Sequence, residues 1–318
     1  VTGAERDQVF EAFVAARGRP AVAFFIDRNN RPISTHSVLT LHDQLRDREF
    51  EELDLIIHSG GGSVHAAYQV MTMLRLHAKK VYACVPFWAK SAATLLCIGA
   101  DKIVLGEHAE LGPLDVQIWE EKQPGKGDYH SALDPFKALE QMQSFSVDAL
   151  SSAMRFIVNN YEMSYDDSLR HAVAFVGVTT GPLVARLDPE KIGQYSRELS
   201  VATEYGTRLL RRSTKWPANK INEVVDQLVY GYPSHEFVID YLEARSLGFD
   251  VDLFPPEHRA IVHGLRPIIE EEQSTRERNI IKLVEFTAPT EVTVDAITSP
   301  ATTESREIGD VGTAGVDG

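Results

Sequence analysis

Two short runs of small residues stand where an apolar stretch gives way to a helical pattern, and both carry side chains or backbone groups capable of acyl chemistry. The first, Ser59-Gly60-Gly61-Gly62-Ser63-Val64, follows the strand-like Leu53–His58. Glycine has no Cβ, so such a run turns sharply and brings unshielded N–H groups up to a substrate carbonyl, while the N-terminus of the helix that follows favours negative charge. These are the makings of an oxyanion site, although a glycine-rich turn is also just a turn. The second run, Trp88-Ala89-Lys90-Ser91-Ala92-Ala93-Thr94, sets a hydroxyl at the opening of an apolar helix. Ser91 suits a nucleophile there and equally suits a helix N-cap. Open α/β sheets bind ligands where strands end and helices begin, which is where both runs fall.

The elements that must position them alternate. Strands are expected over Ala21–Asp27, Leu53–His58, Lys80–Val85 and Lys102–Leu105, with helices over Thr35–Arg48, Ser63–Leu76 and Ser91–Ile98. In the second helix Val64, Ala67, Tyr68, Met71 and Leu74 recur at helical spacing. Repeated β-α-β order implies parallel strands with right-handed crossovers. A polar, Gly-containing stretch over Glu120–His130 reads as a surface loop. Asp134-Pro135 then opens a long helix to Asn160, with Asp as cap and Pro at the first helical position. Further helices are expected over Asp188–Arg212, Ala218–Val229 and Phe237–Ser246. From Thr287 onward large apolar side chains nearly vanish, which predicts a flexible tail.

Composition removes several function classes. The 318 residues are 43% hydrophobic and 25% charged, with a formal net charge of -14. No cluster of Lys and Arg with aromatics offers an electrostatic footprint for nucleic acid. The two cysteines, Cys84 and Cys97, sit in apolar runs and read as buried free thiols, which suits a reducing cytoplasm. No run approaches the roughly 20 apolar residues needed to cross a bilayer, and Val1–Arg19 is charged throughout rather than signal-like, so a soluble cytoplasmic chain is expected. The histidines lack metal-ligand spacing, Gly60–Gly62 lacks the Gly-Lys-Ser/Thr ending of a phosphate loop, and no dinucleotide fingerprint occurs, so neither metal nor cofactor is implied.

Taken together, Ser59–Val64, the Ala89-Lys90-Ser91-Ala92-Ala93-Thr94 turn, Gly99-Ala100-Asp101-Lys102-Ile103 and Leu111-Gly112-Pro113-Leu114-Asp115 resemble the Clp protease and signal peptide peptidase superfamily, and within it most closely the serine dehydrogenase proteinase family. The resemblance covers Ala21–Gln117 with ordered motifs and extends more loosely to Val251 through Tyr232-Pro233-Ser234-His235 and Glu243–Gly248. It implies a ClpP/crotonase-like α/β fold of repeated β-α-β units with a parallel sheet and additional C-terminal helices. It also implies Ser91 as nucleophile and an oxyanion hole from the N–H groups of Gly61 and Ala92, with Gly62 adjacent.

A serine hydroxyl needs a base, and members of that superfamily use His with Asp or a lone Lys. Where a Clp protease would carry its His, this sequence has Leu114-Asp115-Val116-Gln117, so Asp115 reads as a capping or turning residue. Lys137 lies in the first turn of the long helix, where the helix dipole and partial burial would both lower a lysine pKa toward that of a usable base. Its Pro-x-Lys setting is similar to the base-bearing segment of the superfamily's Ser-Lys proteases, although a solvated helix lysine is the plainer reading. Lys90 must diverge from Ser91 and meet a partner acid or hold the turn; Lys102 opens a strand; Lys122 and Lys126 read as solvated; His108 reads as an exposed turn residue. Tyr232, His235 and Glu243 border a cleft or form a packed loop whose His caps a helix.

The expected organisation is an N-terminal helical segment over 1–20, the ClpP/crotonase-like domain with helical extensions over 21–254, a C-terminal helix over 255–286 and the tail over 287–318. The expected function is a Ser-Lys peptidase that acts on peptides through an acyl-enzyme on Ser91, with homo-oligomers as the working form and a delivering ATPase or membrane partner left open. Two alternatives are an inactive scaffold or peptide-binding subunit and a crotonase-type acyl-CoA enzyme, which would need the backbone N–H pair but no serine.

Overall fold

The computed structural model describes residues 2–26, 32–123, 126–274 and 279–286. The chain begins with helix α1 (Gly3–Arg17), opened by a Thr2/Glu5 capping box. Then follow β1 (Ala21–Ile26), α2 (Thr35–Leu45), β2 (Phe50–Ser59), α3 (Val64–His77) and β3 (Ala78–Val85). The two-residue β4 (Trp88–Ala89), α4 (Ala92–Gly99), β5 (Lys102–Leu105) and β6 (Glu110–Leu111) complete the first third. Beyond them come β7 (Gln117–Gln123), β8 (Lys126–Ser131), α5 (Asp134–Asn160), α6 (Tyr165–Val184), α7 (Pro189–Ser213), α8 (Ala218–Asp226) and α9 (Tyr241–Ser246). The described chain closes with β9 (Val251–Leu253), α10 (Arg259–Gly264), α11 (Arg266–Ser274) and β10 (Ile280–Val284).

The main sheet runs β10-β1-β2-β3-β5-β9. All neighbours are parallel except β10, which lies antiparallel on β1. Side chains alternate faces along a strand, and here both faces are dry. Val22, Phe24 and Ile26 of β1 join Leu53, Leu55 and Ile57 of β2 in one core with Leu41, Val70, Leu74, Leu96 and Leu209. Ala21, Ala23 and Phe25 join Ile56 and Cys84 in the other, against Phe10, Phe13, Val262 and Ile268. Two covered faces explain why the strands read as unbroken apolar runs rather than as alternating ones.

Three expectations give way. The stretch expected as a loop over Glu120–His130 belongs to an antiparallel hairpin, β7–β8, paired from Gln117↔Ser131 to Gln123↔Lys126 with a register shift between Glu121 and Gln123; its polar composition conceals the strands. The C-terminal segment over 255–286 is not one helix but a 3₁₀ turn at Pro256–His258, α10, α11 and then β10, whose apolar Ile280-Ile281 and Leu283-Val284 take the open edge of β1. Phe237 does not open a helix: Ile239 instead pairs with Leu111, and α9 starts after Asp240, whose side chain caps Glu243 N–H. Helix α6 answers no expectation, since Gly177, Gly181 and Pro182 obscure its period. The tail over 287–318 lies outside the described residues.

His58, near the end of β2, is buried among Phe25, Phe87 and Trp88, its ring 4.0 Å from the indole of Trp88 on β4. Burial pushes its pKa from 6.5 down to about 3. Between those values the unfolded chain holds a proton that the folded one refuses, so His58 makes the fold lose stability as pH falls from about 6.5 toward 3 and has no such effect above that window. Urea unfolding between pH 7 and pH 4 should therefore show a shallower loss of stability in His58→Leu than in the parent. Equal slopes would assign the acid sensitivity to other groups.

Candidate active site

Ser91 occupies the corner between β4 and α4 with φ 52° and ψ -124°. Asp47 is the other described non-glycine residue at positive φ. This conformation, usual for glycine at the first central position of a type II′ turn, costs a residue with a Cβ about 1–3 kcal/mol. Although Ser91 stands at the N-cap position of α4, its side chain makes no capping bond. The strained backbone at Ser91 therefore does not serve to cap the helix.

Several contacts hold the corner in place. Lys90 N–H donates to Ser59 C=O at 2.9 Å, and Ala93 N–H and Thr94 N–H close the first turn on Lys90 C=O and Ser91 C=O. The Thr94 hydroxyl, fully buried, lies 2.7 Å from Ala89 C=O and 2.9 Å from Gly112 C=O, donating its one proton between them, and accepts from Gly112 N–H at 3.0 Å. Lys90 runs away from Ser91: its stem packs over Gly112, where a Cβ would meet Lys90 Cδ at 2.8 Å, and its ammonium pairs with Glu110 at 3.0 Å.

The glycine run faces this corner because β4 pairs with β2 through Ala89 and Ser59. Gly61 has φ 108°, and a Cβ there would stand 2.8 Å from Ser91 Cβ and 2.9 Å from Lys90 C=O. Its N–H donates to Ser59 Oγ at 3.1 Å. Gly62, with φ 147°, abuts the backbone of Ile33 at a distance that admits no Cβ. Ile33 N–H donates to Gly61 C=O and Ser63 N–H donates to Ile33 C=O, so the parallel bridge turns the N–H of Gly62 itself away from Ile33. Ala92 opens α4, where a helix N–H has no preceding carbonyl to bond. Of the three groups expected in an oxyanion hole, Gly61 spends its N–H on Ser59 and contributes close approach, whereas the N–H groups of Gly62 and Ala92 meet no acceptor among the described residues.

A cavity of about 350 Å³ opens over this corner, lined among others by Ile33, Gly62, Ser91, Val116, Gln117 and His235. His235 is 7% exposed, and its Nδ1 lies 2.5 Å from Asp115 Oδ1. Asp115 is itself buried, and its other oxygen accepts from Ser131 Oγ at 2.9 Å. Backbone bonds seat both partners: Leu114 N–H to Leu228 C=O, Ala132 N–H to Val116 C=O, and the reciprocal pair between Leu111 and Ile239. The turn before His235 is stiffened by Tyr232, which stacks on Phe237 at 4.5 Å and donates to Glu243 at 2.6 Å. Burial and that carboxylate raise the Tyr232 pKa, keeping the phenol protonated.

The remaining candidates lie elsewhere. Lys137, in the first turn of α5, has its side chain 53% exposed and 3.5 Å from Glu140, and it does not line the Ser91 cavity. His108 borders a separate small cavity with Glu107 and His263. Lys102 pairs with Asp252 and Asp250, and the side chains of Lys122 and Lys126 fall outside the described residues. Burial raises the pKa of both Cys84 and Cys97, so neither thiol is poised as a nucleophile. Among the described residues no group of three His, Cys, Asp or Glu side chains is placed to hold a metal ion. Sequence reasoning took Asp115 for a turn residue and His235 for a residue of a packed loop or cleft border; the two lie 120 positions apart and no local spacing connects them.

Residues 44–164 match the family described as ClpP-like SDH-type serine proteinase, the family that the motifs resemble. Two proteins of Methanocaldococcus jannaschii, both named only as uncharacterized, are similar to the chain. One is 28% identical over 234 residues, covering 74% of this chain and 63% of its own length. The other is 38% identical over 66 residues, covering 21% and 23%. The chain thus spans less than two thirds of either curated relative.

Thr94 joins β4, α4 and Gly112 through one hydroxyl. Thr94→Val keeps the shape and removes all three bonds, so it should cost about 1–3 kcal/mol in urea unfolding. It should also slow the labelling of Ser91 by a fluorophosphonate, because the corner loses its brace. Labelling at the parental rate would show that the backbone bonds hold Ser91 unaided.

Proposed function

We propose that this protein is a serine peptidase in which Ser91 Oγ attacks the carbonyl carbon of a bound peptide and forms an acyl-enzyme. The carrying observation is the positive-φ corner at Ser91, whose hydroxyl makes no capping bond and which lines one cavity with Gly62; this reading assigns the N–H groups of Gly62 and of the adjacent Ala92 to the oxyanion. Strain at a polar corner that serves no structural bond is characteristic of a nucleophile held ready. As the oxygen of the attacked carbonyl gains charge, those two donors and the N-terminus of α4 stabilise it, one such donor supplying about 3 kcal/mol. Ile33, Val64 and Val116 give the cavity apolar walls suited to an apolar side chain of the acyl portion. The match to a serine proteinase family supports the same reaction class.

An acyl-CoA enolate enzyme on this fold would need the paired N–H groups alone, and would leave the strained Ser91 corner without a purpose. An inactive scaffold would leave it equally unexplained. Among the described residues no helix is long and apolar enough to cross a membrane, and the buried free thiols Cys84 and Cys97 fit a reducing compartment, so a cytoplasmic site of action is part of this reading.

Homo-oligomeric assembly through α5 and α6 completes the proposal. No residue of α5 is buried, and Phe145, Phe156, Phe175 and Val178 of the pair are each more than half exposed. So large an apolar face on two packed helices is usual for a contact surface.

Ser91→Ala should abolish fluorophosphonate labelling and hydrolysis of a p-nitrophenyl ester while retaining the parental unfolding midpoint; undiminished turnover would remove the nucleophile. Multi-angle light scattering should find more than one copy per particle at micromolar concentration, and Phe156→Glu with Phe175→Glu should shift that mass toward a single chain. A parent that scatters as a single chain would refute the assembly.

A further inference from the structure

Lys90 stands directly before Ser91, yet its side chain runs to Glu110 and does not line the cavity. We propose that the buried ion pair of Lys90 with Glu110 is a positioning device that holds Ser91 in its positive-φ state, an inference that rests on Ser91 being the nucleophile.

Three observations carry it. The first is that the pair contributes little to stability where it stands. Lys90 is 8% exposed, and the side chains of Lys90 and Glu110 are 11% and 28% exposed, so both charges lose most of their hydration. One contact at 3.0 Å offsets that loss only in part, and a buried pair of this kind is often no more stabilising than two apolar side chains of the same volume. Its place beside a strained corner points to geometry instead.

The second is that backbone bonds alone leave Lys90 one freedom. Its N–H donates to Ser59 C=O and its C=O accepts from Ala93 N–H, both at 2.9 Å. Two anchors on the main chain let the residue rock about the line that joins them, and rocking changes the φ of Ser91, which rests at 52° where a residue with a Cβ prefers negative values. The side chain supplies a third anchor off that line. Glu110 lies opposite Trp88 in the β4–β6 pair, and Lys90 follows Trp88 by two residues, so the ammonium reaches diagonally to the neighbouring strand.

The third is that the path of the side chain is fitted to it. A Cβ at Gly112 would stand 2.8 Å from Lys90 Cδ and 3.4 Å from Lys90 Cα, so only glycine lets the stem lie against the residue that follows β6. The same Gly112 donates its N–H to Thr94, which ties the stem's bed to α4. Relaxation of Ser91 out of positive φ would move its Oγ relative to a bound carbonyl and leave the cavity walls in place. The pair therefore acts on the rate of attack rather than on substrate affinity, with Lys90 and Glu110 both acting through Ser91.

The test compares stability with reactivity in the full chain. Lys90→Met with Glu110→Leu removes both charges and keeps the volume, so the urea midpoint should equal or exceed the parent's. The same double variant should be labelled by a fluorophosphonate about 10- to 10²-fold more slowly and lose a similar factor in kcat on a p-nitrophenyl ester, with KM little changed. A readout of the strain itself comes from Ser91→Gly and Ser91→Ala, since glycine adopts positive φ freely. The midpoint of the glycine variant relative to the alanine variant should be higher in the parental background than in the double one, where the corner has relaxed. Lys102→Met, which breaks an ion pair on another strand, should leave labelling at the parental rate. Parental reactivity in the double variant would overturn the proposal, as would a loss of rate that accompanies a lowered midpoint or that Lys102→Met reproduces. An active Ser91→Ala would instead defeat the reading beneath it.

Discussion

The bridge between Ser59 of β2 and Ala89 of β4, with the Lys90 N–H to Ser59 C=O bond beside it, brings together two chain segments that are otherwise separated by a helix and a strand. One residue beyond Ser59 the glycine run begins; two residues beyond Ala89 stands Ser91. Parallel pairing delivers both exits to the same sheet edge, so a donor run and a hydroxyl become neighbours without any side-chain contact having to hold them. The dry core on each face of the sheet keeps that registration, since a slip by one residue would send every strand side chain to the wrong layer.

On that frame the corner at Ser91 stores strain that the surroundings can carry. Thr94, Lys90 with Glu110, and the close contacts to Gly61 and Gly112 leave the backbone little room to relax. Each of these glycines is required by proximity rather than by turning alone: a Cβ at Gly61 would strike Ser91 itself. The direction of the Gly62 N–H follows from the same constraint, because the bridge of Ile33 to Gly62 uses the flanking groups and turns that N–H away from Ile33.

The second half of the chain completes the cavity rather than merely covering the core. Leu111 pairs with Ile239, Leu114 is bonded to Leu228, and Asp115 meets His235, so the segment after β6 acts as a seam along which a distant loop is sewn to the site. The β7–β8 hairpin ends on Ser131, whose hydroxyl reaches the same carboxylate. Helices α5 and α6, by contrast, leave the core after Leu133 and carry Lys137 with them, where Glu140 and solvent satisfy it.

The sequence by itself determined the parallel β-α-β core and the pairing of a glycine run with a Ser91 turn, because apolar periodicity and small-residue junctions are local signals that burial on both sheet faces amplifies. It placed the start of α5 and the span of α7 closely for the same reason, although Asp134 is the first helical residue of α5 rather than the cap it was expected to be, whereas Asp188 does accept from Glu190 N–H and Lys191 N–H at the start of α7. Only the tertiary structure decided that Ser91 sits at positive φ, that Gly61 spends its N–H on Ser59, that 117–123 pairs with 126–131, and that β10 returns to the edge of β1. It alone decided that His235 meets Asp115. A hydrogen bond across 120 residues has no periodicity and no motif; it exists because chain closure, strand pairing and burial bring the two side chains to one place.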